Sequence, residues 1–448
     1  MLHNSFTFLM KLLVIGKVRE LSHQAIDEVL KINRRNTMNK NIKLAVAGAV
    51  LALTASAANA GIVIPAGDWT LDVSGNVNAY TTWVKTEGNN AMTSKSITAD
   101  AGKAGNTGNT RNMLSNGLLP NFLSIGGSTR QNDLDVAFTI SIQPGSSHYT
   151  ALGVGADGGI NNRQAFITFG DKSWGSVLIG KNLGIFASDA ILNDMTLLGV
   201  GASAGNPGNT TLGRIGYGYI YADWKPQISY TTPNMNGFQA TVGISQNFVS
   251  TSQTASATSI TASVVNAAPA YEGKASYSFA ANDVTGKVWV SGIAQKTGSF
   301  AGFSVDETIA YGGDIGANVN FSGLGLTGYY YGGSGIGHQG QGWDGYGLNT
   351  ATSLKQRDSD GGYVQATYVL PTKTKVGVSW GVSNLDKSGG ASEVATLLKS
   401  NEMWTAGVYH PLTKHLNLVA EYSHVTSENH QSAENTNDLG SLGAILFF

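Results

Sequence analysis

An all-β fold, a transmembrane antiparallel β-barrel of about 16 strands, is predicted by three observations: a two-residue alternation that recurs along the chain, a regular exchange of short and long connections, and an apolar tail closed by two aromatic rings. Residues 69–80, "WTLDVSGNVNAY", show the first. Trp69, Leu71, Val73, Val77 and Ala79 take one parity, and Thr70, Asp72, Ser74, Asn76 and Asn78 take the other. Side chains of a strand point to opposite faces in turn, so one face is apolar and the other polar. The pattern returns around Leu134 to Ile142, Phe238 to Ser245, Lys375 to Ser383 and Leu416 to Ser423. Helical spacing explains none of these stretches.

Short breaks at 232–237, 281–283, 322–323, 370–373 and 410–414 alternate with long polar stretches at 86–116, 250–269, 334–359 and 386–399. One end of the sheet carries turns and the other carries loops, the asymmetry of barrels with short periplasmic turns and long extracellular loops. Strands are expected near 69–86, 117–129, 132–144, 161–170, 173–182, 213–233, 236–249, 270–281, 284–297, 308–321, 324–333, 360–371, 374–385, 401–411, 414–427 and 438–448. An outer face in lipid demands closure, because a free edge would leave backbone N–H and C=O groups without partners in hydrocarbon. A soluble sandwich also alternates, but it hides its apolar face in a core and rarely packs so many polar residues inside. In the final "SLGAILFF", Leu442, Ala444, Leu446 and Phe448 share a parity and face lipid in the closing strand. Phe448 then falls at the membrane boundary, where aromatic rings form girdles.

Composition agrees. Only 13% of residues are charged, about half the globular norm, while 58 glycines and 40 aromatic residues argue against disorder. The chain has no cysteine, which removes disulfides and thiolate chemistry and suits an exported protein. Residues 38–60 read as a signal peptide. Met38 to Lys43 is a cationic start, Leu44 to Leu53 an apolar core of ten residues, and Ala58-Asn59-Ala60 a small-residue cleavage site before Gly61. Ten residues fall well short of the roughly 20 needed to span a bilayer as a helix. Residues 1–37 are then expected to be an upstream extension from a mis-assigned start, and 61–448 the barrel domain. The first 60 residues hold eight basic and three acidic residues, so the remainder carries 20 against 26, a net charge of −6. That balance argues against nucleic acid as a partner and motivates an expectation of mild cation preference.

The most specific stretch is "NRQAFITFGDKSWGSVLIGKNLGIFASDAILND", residues 162–194, continued by "GRIGYGYIYADW" (213–224) and "ISYTTPNMNGF" (228–238). It resembles the fourth and fifth strands, third loop and following hairpin of the Gram-negative general porins. Those are trimeric 16-stranded outer-membrane channels for passive diffusion of small hydrophilic solutes and ions. The resemblance implies that the third loop, roughly 183–212, folds into the barrel and narrows it, and that the chain is a homotrimer in outer-membrane lipid. Arg163, Lys181, Asp189, Asp194 and Arg214 are the candidate constriction residues on or beside this loop. Rings of charge set selectivity in pores, and charges are felt within about 8 Å at physiological salt. Phe448 resembles the terminal signal read by the barrel-assembly machinery, with Leu446 where the family commonly has an aromatic ring.

Other signals carry less. The glycine runs at 153–159 and 323–328 lack the strand and helix that a phosphate loop requires. His410 and His415 suggest no third metal ligand. His424 and Ser423 point to opposite faces, against a catalytic pair, so neither an enzyme nor a cofactor is expected. Tyr329 and Tyr331 are expected to face inward and Tyr330 lipid, which leaves wall packing or a sugar-stacking track open. A solute-specific channel, or a barrel serving mainly as an adhesin or anchor, are the alternative readings.

Overall fold

The computed structural model describes residues 61–96, 98–99, 110–145, 160–202, 210–253, 259–262, 268–390 and 393–448, all within the unit Gly48–Phe448. The expected extension, signal peptide and cleavage residues Ala58 and Ala60 lie outside them. The strands are β1 (Ile62–Ala66), β2 (Trp69–Glu87), β3 (Thr110–Ser115), β4 (Phe122–Gln131), β5 (Leu134–Pro144), β6 (Ile160–Asp171), β7 (Gly175–Leu183), β8 (Trp224–Thr231), β9 (Phe238–Ser245), β10 (Thr251–Gln253), β11 (Ser259–Thr261) and β12 (Ala270–Ala281). They continue as β13 (Val284–Lys296), β14 (Ser304–Val305), β15 (Ile309–Phe321), β16 (Leu324–Ser334), β17 (Tyr346–Leu348), β18 (Ser353–Gln356), β19 (Asp358–Val369), β20 (Lys375–Leu385), β21 (Leu398–Pro411), β22 (Leu416–Asn429) and β23 (Glu434–Phe447). Among the described residues a short α-helix, α1 (Ser188–Leu192), lies between β7 and β8 and is followed by a 3-10 turn at Met195–Leu198. No described helix is long and apolar enough to cross a membrane.

Eighteen of these segments share one sheet. β3 and β4 follow one another along the same edge of β2, and β1 continues the line of β23 along the other. The result is a closed antiparallel barrel of 16 strands. Closure runs through β2, whose residues 76–87 pair with 447–436 of β23. Phe448 and Gly75 then exchange backbone hydrogen bonds of 2.7 and 3.0 Å. Neighbouring strands meet at turns such as Asn132-Asp133 and Ser322-Gly323, where both residues have positive φ. Such mirror-image turns match the right-handed twist of the strands.

Burial is inverted relative to a soluble protein. Leu114, Val242, Val378 and Ile315 are 57–69% exposed on the outer face. Inward positions such as Ser383, Asn401 and Ser427 are all 0% exposed. On β15 the outward Tyr311 stands near the loop end and Phe321 at the turn end. Ten residues at about 3.3 Å each, tilted by about 40°, rise about 25 Å, the height of a barrel's apolar band between its aromatic girdles. Leu446 faces outward as expected, opposite Val77.

Two expected strands differ. The strand placed at 213–233 begins only at Trp224, and 213–223 belongs to the preceding loop. The count stays even because that stretch was never two strands. The strand placed at 117–129 begins only at Phe122, as β4, and is preceded by β3 (Thr110–Ser115) in a stretch expected to be loop, with 116–121 between the two.

A charge on the outer face near mid-height has no water to meet. Val378→Lys is expected to destabilise the folded barrel by about 2–4 kcal/mol in lipid vesicles, whereas Thr241→Lys on the inner face changes it little. Urea titration of refolding into vesicles measures both.

Candidate functional site: a loop held inside the barrel

The connection between β7 and β8, described over 184–202 and 210–223, does not stay at the rim. Its hydrogen bonds reach inward-facing side chains or backbone on β2, β12, β13, β19, β20, β21 and β22, which places it across the lumen. A segment leaving water there must find partners for its own N–H and C=O groups.

Two glutamates supply many of them. On β12, Glu272 Oε2 accepts from the N–H groups of Ile185 at 2.9 Å and Phe186 at 2.8 Å. Its Oε1 accepts from Lys225 Nζ at 2.6 Å and Ser245 Oγ at 2.5 Å. On β22, nearly across the barrel, Glu421 Oε2 accepts from the N–H groups of Val200 at 2.7 Å and Gly201 at 2.9 Å. Its Oε1 accepts from Tyr409 OH at 2.6 Å. Hydrogen bonds to a charged group contribute about 1.5–3 kcal/mol each, and two successive N–H groups form a natural anion cradle.

Between these clamps, α1 brings Asp189 against Lys274 Nζ at 2.9 Å and Lys287. Burial alone would raise the Asp189 carboxyl, but the two lysines outweigh it and hold it below the usual carboxylate range. Tyr363 OH donates to Ala190 O at 2.8 Å. Gln365 accepts from Met195 N at 2.7 Å and donates to Asn193 O at 3.0 Å, and Tyr80 OH donates to Leu198 O at 2.7 Å. Phe186, Ile191, Ile215 and Tyr219 of the loop pack with Trp289, Tyr329 and Tyr363 of the wall in one apolar cluster. Inward residues of the opposite wall, Thr139, Phe166, Leu178 and Thr241, keep partial exposure. The open passage therefore runs between the loop and β5, β6, β7 and β9.

The candidate residues fall in three places. Asp189 and Asp194 are both on the inserted loop. Asp194 accepts from Thr196 N at 2.9 Å, Thr196 Oγ1 at 2.7 Å and Tyr219 OH at 3.0 Å, and is 4% exposed. Arg214 lies on the returning limb, wholly buried, donating from Nη1 to Met403 O at 2.9 Å. Its burial pushes the guanidinium below its usual value, against the pull of Asp194. Arg163 occupies the extra position of a β-bulge, where Ser141 pairs with Gln164 and Ile142 with Asn162. Its guanidinium stands 5.9 Å from the Trp224 ring centroid. Lys181 shares its outward parity with Ile179 and bonds Asn162 O at 2.7 Å, so it does not face the lumen. Glu272, Glu421, Lys274 and Lys287 were not singled out from the sequence. Their signal is a charge at an inward position of an alternating strand.

A profile of the Gram-negative porins matches residues 47–430. The chain belongs to the Gram-negative porin family. No curated protein matches it. Among solved structures, the porin is similar to the outer membrane channel DcaP of Acinetobacter baumannii, with a TM-score of 0.60 at 16% identity, covering 87% of this chain and 100% of that one. It is similar to OmpF of Salmonella typhi in complex with daunomycin, with a TM-score of 0.54 at 15% identity over 86% and 100%. The outer-membrane expressed OmpT of Vibrio cholerae gives 0.51 at 13% identity over 86% and 100%. Family and fold together make this an outer-membrane porin for passive diffusion, a channel rather than an enzyme.

Two outcomes follow from the clamps. Glu421→Ala leaves the strand ladder intact but strips partners from two buried N–H groups, each at about 1–3 kcal/mol. Protease cleavage within 184–223 is expected to accelerate while the barrel stays folded. Asp189→Asn leaves Lys274 and Lys287 uncompensated, so the reversal potential in a salt gradient should move toward anion preference.

Proposed function

We propose that this porin is a general diffusion channel, passing small hydrophilic solutes and ions with weak charge selectivity. The observation that carries the reading is the loop 184–223, tied to the wall from β12 round to β2 while the opposite wall stays open. That open wall presents Gln164, Asn182, Thr139 and Thr241 at inward positions, polar and uncharged. The loop's own carboxylate Asp189 is matched by two lysines, and Asp314 lies on the adjacent β15, bonded to Ser291 Oγ at 2.7 Å. These local charges cancel, which argues for weaker selectivity than the net −6 suggests. Asp189 takes its place at the constriction through Lys274 and Lys287, and Asp194 and Arg214 act from within the loop, shaping it rather than facing solutes.

A sugar-stacking track finds no support here. Tyr329, Tyr331 and Tyr363 are 6%, 0% and 1% exposed, behind the loop rather than beside the passage. A homotrimer in outer-membrane lipid remains part of the reading, on family membership, with the barrel-assembly machinery recognising the Phe448 end.

The reading also takes residues 38–60 as a signal peptide cut before Gly61. Support comes from the barrel seam. Ile62 pairs with Val73, and Phe448 bonds Gly75 on the same edge of β2. A residue 60 continuing that ladder would fall opposite Gly75, a place Phe448 already holds.

Planar-bilayer recording tests the channel. Conductance should be ohmic and scale with salt, and the reversal potential in a tenfold gradient should stay far below the about 59 mV of a perfectly selective pore. Block by one class of sugar would replace general diffusion with a solute-specific channel, and absence of conductance from folded protein would end the reading.

A further inference from the structure

The connection between β16 and β19, residues 335–357, also enters the barrel. Its first limb turns inward immediately: Ile336 is 0% exposed and packs near Gly312 of β15. Gly337 and Gly342, with φ of 73° and 80°, permit a tight reversal closed by Gly342 N donating to Ile336 O at 2.6 Å. The inner wall holds the limb from behind, Tyr331 OH donating to His338 O at 3.2 Å and Ser359 Oγ to Gly337 O at 2.6 Å.

What the limb rests on is the returning half of the third loop. Tyr221 N donates to Gln339 O at 2.8 Å. Gln341 Nε2 donates to Tyr221 O at 3.1 Å and Ala222 O at 3.2 Å, and its Oε1 accepts from Lys225 Nζ at 3.0 Å. Lys225 is the same lysine that engages Glu272, so one buried cation joins the wall clamp of the third loop to the β16–β19 connection. Ile336 completes the apolar cluster formed by the third loop and the wall.

Outside the barrel the same connection is fixed. Its second limb supplies β17 and β18, the central strands of a five-stranded sheet completed by β10, β11 and β14 from the neighbouring loops. At its base Arg357, wholly buried, donates to Glu393 Oε1 from Nε at 2.9 Å and Nη2 at 2.5 Å, and to Asp344 O from Nη1 at 2.9 Å. Asp344 accepts from Ser94 Oγ at 2.6 Å and Lys95 N at 2.8 Å. An anchored base with an inserted limb is the geometry of a fixed obstruction rather than a free loop.

We infer that residues 335–345 form a second constriction above the third loop, and that Gln341 is the positioning residue that joins the two into one unit setting the channel's size limit. This deepens the diffusion-channel reading and rests on it. Conductance of the parent protein tests that reading; the variants below test only this one. Any polar lining above the third loop adds resistance in series, so removing it widens the path.

The test uses the full chain in planar bilayers and liposomes. One variant replaces 337–344 by two glycines, and the other is Gln341→Ala. Conductance should rise by about 1.5-fold or more in the first and about 1.2-fold in the second. The ratio of trisaccharide to monosaccharide uptake in liposome swelling should rise with it, a change that mere loss of stability would not produce. A folded excision variant with parental conductance and parental uptake ratio would overturn the inference. Should the excision not fold, Gln341→Ala decides alone, and parental values in both readouts overturn the inference equally.

Discussion

Backbone polar groups in hydrocarbon have no water to fall back on, so each must be paired within the sheet. β2 is where that requirement is met for the whole ring. One of its edges takes β23 and then β1, the other takes β3 and then β4, so that residues 70–73, 76 and 80–85 are paired on both edges. The register of this seam fixes which face each side chain occupies. A slip by one residue would turn Asn76, Asn78 and Thr82 into lipid and bring Val77 and Trp83 into the lumen. The paired Phe448 and Gly75 end the β23 line at the point where β1 begins.

The same requirement returns inside the barrel in a different form. The third loop cannot build a ladder with the wall, whose strands are already paired on both edges. Many of its partners are therefore side chains, and the wall provides them at inward positions: Glu272, Gln365, Glu421, Tyr80, Tyr363 and Ser383. Burying a carboxylate is costly unless its lone pairs are filled. Both glutamates are filled, one by two N–H groups, a lysine and a serine, the other by two N–H groups and a tyrosine. Apolar side chains then close the space behind the loop. Over that half of the ring the wall carries apolar contacts on both its faces, oil outside and Phe186, Ile191 and Tyr219 inside.

Much of this was legible in the sequence, and the failures have physical causes. Alternation and closure follow from a period of two, which any stretch of β-strand must show. The same rule misplaced 213–223, because "GRIGYGYIYAD" alternates large and small residues without a partner strand. Gly216 and Gly218 there have φ of 79° and 141°, a folded path that merely imitates a strand's period. Parity alone puts Lys181 on the outer face with Ile179. Arg163 was harder, since a bulge resets parity and nothing in "INNRQAF" marks it. The clamping glutamates stood at inward positions in plain view. Their role depends on which segment crosses the lumen opposite them, and that is set by pairing across more than 80 residues for Glu272 and more than 200 for Glu421.

The division of the wall into a holding half and an open half also governs what the channel can sense. A charge matters to a passing ion when it is unpaired and within about a Debye length, roughly 8 Å. Lys225, on β8, is matched to Glu272 of the holding half, and there Lys274 and Lys287 share Asp189, so within the network that fixes the loops their fields partly cancel. Those residues are bound to a structural duty, and changing one unpairs another. The open wall, where glutamine, asparagine and threonine stand beside Phe166 and Leu178, carries no such duty. Selectivity is therefore free to be set on β5, β6, β7 and β9, while the size of the opening is set by the loops held on the other side.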